Sequence, residues 1–177
     1  YGLGDARNDL PNFVVINGGL IPPGGRELLG NGFLPSAYQS SLFRPQGDGM
    51  PNVHGTLEAG RQRKVLDFSG HMDEAFAART GRPDALEGAI HNAELAFAMQ
   101  SSVPELADLS AENKATLEMY GPDVNRPGSF AQSALLARRL VERGTRAVQI
   151  LHRGWDQHNN LPRLLRGQIE DTDQPTA

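Results

Sequence analysis

The chain of 177 residues contains no cysteine. Disulfides, thiolate metal sites and a cysteine nucleophile are therefore excluded. No apolar run approaches the roughly 20 residues that cross a bilayer. With 17 Lys and Arg against 21 Asp and Glu the formal net charge is -4, and no basic stripe exists to neutralise phosphates, which argues against a nucleic-acid partner. The glycine pairs are not followed by Gly-Lys-Ser/Thr, and no His-x-x-x-His or Glu-x-x-His occurs. The chain thus lacks a phosphate loop and a self-contained zinc motif. Ser40-Ser41 and Ser101-Ser102 have no base beside them in sequence, so no nucleophile is nominated. Internal repeats and low-complexity tracts are absent. No signal peptide is visible, and a start at Tyr1 rather than Met points to a processed chain or a part of a longer one.

What is present suits one ordinary domain with a real core: 38% hydrophobic and 21% charged residues. The 20 Gly and 12 Pro crowd the first third. Phe13-Val14-Val15-Ile16 reads as a short buried strand between Pro11 and Asn17-Gly18-Gly19. The two glycines let the backbone pass close to a ligand or another segment; a tight turn is the plainer reading. Leu20 to Gly55 has no period and reads as an ordered excursion over a larger body.

The periodicity predicts a helix over Leu57–Thr80, with Val65, Phe68, Met72 and Phe76 on one inward stripe. A second helix is expected from Pro83 to Ser101, stopped by Pro104, and a third from Ala111 to Tyr120 with Ser110 as N-cap. The best-punctuated helix is Ser129–Arg143, with Ser129 and Gln132 as a capping box and Gly144 closing it. It feeds a strand rich in Val148, Ile150 and Leu151, read as interior. Beyond His158, Leu161–Ile169 is a weak helix interrupted by Gly167, and Glu170–Asp173 an exposed acidic tail. Three segments result: 1–56 with a strand and long loop, 57–121 as a helical insert or cap, and 122–177 with helix, strand and a final loop. Two strands make no stable sheet, so either strands hide in the long loop or, as we favour, the rest of the sheet lies in sequence beyond this chain.

The chemistry is sought just past that last strand. Gly154 breaks it, and Asp156 and His158 follow, a carboxylate and an imidazole two residues apart. Ligands in α/β proteins sit beyond the carboxyl ends of strands, and Asp with His is a metal-binding combination. The competing reading is a surface turn in which Asp156 caps a following helix, with Trp155 as a packing anchor. His152 ends the strand facing the same mouth. His71 and His91 read as partly buried packing residues on helices, and His54 has no carboxylate beside it in sequence.

Three groups of segments carry a resemblance. They are Tyr1-Gly2-Leu3-Gly4 with Leu10–Val15; Asn17-Gly18-Gly19-Leu20-Ile21-Pro22-Pro23-Gly24-Gly25 with Gly32–Ser40 and Phe43-Arg44-Pro45; and Leu136–Gly144 with Gly154-Trp155-Asp156-Gln157-His158 and Asp171–Pro175. Together they closely resemble the sulfatase-like domain of unknown function 1501, a bacterial family similar to the alkaline phosphatase and sulfatase superfamily. The resemblance implies an α/β fold, a central part of an alkaline-phosphatase-like three-layer sandwich with a helical middle and few strands of its own. It implies a divalent metal, zinc or calcium, held in part by Asp156 and His158, which match the family's Trp-Asp-x-His motif. His152, Trp155 and Gln157 would support those ligands from behind. It implies a sulfate or phosphate ester as substrate and a location outside the cytoplasm. The expected function is the central part of a metal-dependent ester hydrolase, catalytically incomplete by itself; the alternative is a non-catalytic binding or scaffold module of an exported protein.

Overall fold

A computed structural model describes residues 9–18, 23–35, 38–47, 49–51, 53–81 and 84–177. Gly19, Pro83 and nearly all of the amino-terminal segment fall outside them. Among the described residues the chain is mixed α/β, with three strands and five α-helices. The strands are β1 (Phe13–Asn17), β2 (Ser41–Phe43) and β3 (Ala147–Leu151). They form one parallel sheet in the order β2-β1-β3. The helices are α1 (Ala59–Thr80), α2 (Asp84–Ala107), α3 (Lys114–Tyr120), α4 (Phe130–Glu142) and α5 (Leu161–Thr176).

β1 is central, and its apolar run explains why: Val14, Val15 and Ile16 are all buried, so both faces of the strand are covered. The register pairs Val14 with Val148 and Ile16 with Ile150. These side chains share a face and meet Phe43, Leu136 and Leu140, joined by Val103 and Leu106 from the end of α2. A second cluster on another side of α4 joins Ala131 and Leu135 to Val124, backed by Leu117 and Tyr120.

α4 is built as its sequence dictates. The Ser129 hydroxyl accepts from the Gln132 amide at 3.0 Å and donates to the Asp123 carbonyl at 2.7 Å. The Gln132 side chain accepts from the Gly128 amide rather than from that of Ser129, a capping box displaced by one residue. At the other end Gly144 takes φ 99°, and the Thr145 amide returns to the Leu140 carbonyl at 3.0 Å. The Arg146 and Ala147 amides then donate to the Asn12 carbonyl, which starts β3 alongside β1.

Several expectations need correction. β2 lies in the long loop, so at least one strand was hidden there. β3 is half-buried at a sheet edge rather than interior: Ala147 and Gln149 are exposed, because among the described residues only β1 pairs with it. α2 does not stop before Pro104 but runs to Ala107. A proline inside a helix costs about 3 kcal/mol, and complete burial of Val103 and Leu106 offsets it at about 1.5–3 kcal/mol per side chain. α3 starts at Lys114 under Asn113, whose side chain accepts from the Thr116 amide at 2.8 Å. Ser110 instead donates its amide to the Asp108 carboxylate at 2.9 Å, and its hydroxyl first, with this amide second, holds that carboxyl below its ordinary pKa. The stripe on α1 does not face a core, since Val65, Phe68, Met72 and Phe76 are 52%, 68%, 58% and 45% exposed. His71 is exposed rather than packed. α5 passes through Gly167 and the acidic residues to Thr176, held against α3 by a Gln174 side-chain bond to the Glu118 carbonyl.

Candidate functional site

The carboxyl ends of β1 and β3 open beside the first turn of α4, and a cavity of about 480 Å³ lies there. Asn17 and Gly18 line it from β1, the run Ile150–Gly154 from β3, and Phe130 and Ser133 from α4. The main chain approaches closely at one wall: a Cβ on Gly18 would lie 2.8 Å from the Gly128 carbonyl oxygen. The glycine thus serves another segment of the chain. Gly154 has φ 99°, and its missing Cβ leaves room for the Gln168 side chain of α5.

His152 sits in this wall. Its ring meets Phe130 edge-on at 5.1 Å and Trp155 at 6.3 Å between centroids. Its Nε2 is shielded from solvent and has no hydrogen-bond partner among the described residues. Leaving such a group unpaired costs about 1–3 kcal/mol. Ser133 is buried and its hydroxyl is spent on the Ser129 carbonyl at 2.9 Å. Arg153, exposed, forms no ion pair among the described residues.

Asp156 and His158 are brought together but outside this cavity. His158 Nε2 lies 2.7 Å from Asp156 Oδ1, and the side chains are 79% and 78% exposed. Asp156 does not cap α5, whose N-cap Asn160 lies in the left-handed region with no side-chain cap bond. Gln157 donates to the Gly154 carbonyl at 3.2 Å, and Trp155 is half-exposed. Neither is hydrogen-bonded to the pair. At 2.7 Å the carboxylate and the imidazole contact each other directly, and both are ligand types that zinc takes as part of a donor set. Among the described residues no third His, Asp or Glu joins them, whereas zinc takes at least three protein ligands and calcium six to eight oxygens.

Two contacts were not legible in the sequence. Ser102 donates to Asp9 Oδ2 at 2.6 Å across most of the chain, tying α2 to the segment before β1. Arg139 donates to the Asp108 and Glu105 carbonyls at 2.7 and 3.1 Å, so it caps the end of α2 from α4. The cavity itself carries only one sequence signal, a glycine after each of two strands.

Comparison with protein-family models gives a match over residues 1–177 to the family described as protein of unknown function (DUF1501). Neither the curated proteins nor the solved structures contain a match to this chain.

Proposed function

The chain belongs to the DUF1501 family, and from that premise we propose that it is the central part of a metal-dependent hydrolase of sulfate or phosphate esters. In this reading the three-strand parallel sheet belongs to an alkaline-phosphatase-like three-layer sandwich acting outside the cytoplasm. The observation that carries the proposal is the pairing of Asp156 Oδ1 with His158 Nε2 at 2.7 Å, open to solvent, just after a parallel strand. Burial of both faces of β1 supports the layered fold.

The roles of this chain's residues follow from their chemistry. Asp156 and His158 would each give one donor atom, a carboxylate oxygen and a ring nitrogen, to the same ion, which would replace their contact with each other. Their exposure leaves both donors free to meet ligands borne elsewhere in the protein. Held by Asp156 and His158 together with ligands from elsewhere, a divalent ion would supply Lewis-acid polarisation of the ester and would lower the pKa of the attacking group. The remaining ligands and the nucleophile are assigned to other parts of the protein, so this chain alone is expected to be inactive.

The test is hydrolysis of para-nitrophenyl sulfate and phosphate by the protein that carries this chain. Metal-dependent turnover that collapses in His158→Ala is expected. A protein that holds metal but hydrolyses neither ester refutes the hydrolase. Metal content unchanged by Asp156→Ala favours the scaffold alternative.

A further inference from the structure

We propose that the exposed stripe of α1 is a docking surface for an anionic lipid bilayer, with the helix lying in the plane of the headgroups. The stripe runs Arg61, Val65, Phe68, Met72, Phe76, Arg79. Steps of three and four residues keep all six on one side of the helix, over about 27 Å at 1.5 Å per residue. All six are exposed. α1 meets α2 on a different side, the one that carries half-buried Leu66 and buried Ala77. The helix is therefore apolar on two sides, and among the described residues only one of them is covered.

Charge indicates what belongs on the other. Arg61 and Arg79 close the two ends of the stripe and Lys64 flanks it. All three are exposed and form no ion pair among the described residues. Asp67 and Glu74 project from the far side of the helix, where Asp67 bonds Arg63. Asp73, half-buried, falls on the side of Leu66 and Ala77. Glu58, at the start of the helix, is turned back onto the Gly60 and Arg61 amides. A second copy of the stripe is a poor match. Antiparallel pairing sets Arg61 against Arg79, and parallel pairing sets each arginine against itself. A partner helix seated in a groove is a poor match too, because among the described residues α2 adds no large exposed apolar side chain as a second wall. An apolar ridge with cations at both ends fits a surface that offers acyl chains beneath and phosphates around it. The arginine and lysine stems lie along the ridge and carry their charges to headgroup level. No described helix is long and apolar enough to cross a membrane, so the contact is with one leaflet. The formal net charge of -4 opposes it weakly, because charges more than about 8 Å away are screened at physiological salt.

The inference is independent of the hydrolase reading, and its test is run in chelator. The protein that carries this chain is floated on a density gradient with vesicles of phosphatidylcholine alone, and of phosphatidylcholine mixed with phosphatidylglycerol. It should bind the mixed vesicles at least about tenfold more tightly than the neutral ones and leave them in high salt. Phe68→Ala should weaken this binding by about tenfold, and Arg61→Glu with Lys64→Glu by at least about as much. These positions are exposed, and unchanged circular dichroism checks that the variants stay folded. The proposal is overturned if neither vesicle binds, which would leave the stripe to an acidic protein partner. It is overturned equally if neutral vesicles bind as well as the mixed ones, or if either variant binds as tightly as the unchanged protein.

Discussion

His158 Nε2 and Asp156 Oδ1 lie 2.7 Å apart on side chains that are nearly four-fifths exposed. Such a pair adds little to stability, since exposed ion pairs contribute about 0–1 kcal/mol. His158→Ala and Asp156→Ala should each change unfolding free energy by no more than about 0.5 kcal/mol in chemical denaturation. A large loss would mean that the pair serves the fold.

The centre of the sheet should behave in the opposite way. Ile16 is fully buried against Leu136, Leu140 and Phe43. Ile16→Ala should cost about 2–5 kcal/mol by urea denaturation. Phe68→Ala on α1, where the ring is 68% exposed, should stay within about 0.5 kcal/mol.

The cap of α4 bears on both stability and the cavity. Ser129→Ala removes the acceptor for the Gln132 amide and the donor to the Asp123 carbonyl. A loss of about 1–2 kcal/mol is expected. Ser129→Asp restores the acceptor but not the donor, so thermal melting should place it between the two.

The pairing of α1 with α2 is sensitive to acid. Arg63 grips Glu94 with two bonds of 2.6 Å, and this holds the Glu94 carboxyl below its ordinary pKa. A carboxyl with a depressed folded pKa contributes stability above its unfolded value, near 4.3, and loses it as pH falls through the folded value. The melting temperature should therefore exceed that of Glu94→Gln at neutral pH, and the gap should close below about pH 4. A gap that widens in acid would contradict the pairing.

Much of the frame was legible, because local signals and tertiary packing agreed there. The apolar run at Phe13–Ile16, the serine before α4 and Gly144 after it each have one dominant physical meaning. β2 escaped notice because three residues in a Gly/Pro-rich stretch carry no period, and only pairing with β1 defines them. Pro104 misled because burial of Val103 and Leu106 outweighs a local penalty. The stripe on α1 misled differently: periodicity names an apolar face but not what covers it. Chain order sets Asp156 and His158 two residues apart, and the structure brings their side chains within 2.7 Å of each other. The cavity beside them was not legible, since it is made by β1, β3 and α4 together.

The central claim is that Asp156 and His158 share one cation. Titrating the protein with zinc, and separately with calcium, by calorimetry tests it directly. Saturable binding is predicted for one of these ions, weakened more than about tenfold by either Asp156→Ala or His158→Ala. Binding that is indifferent to both substitutions would contradict the account.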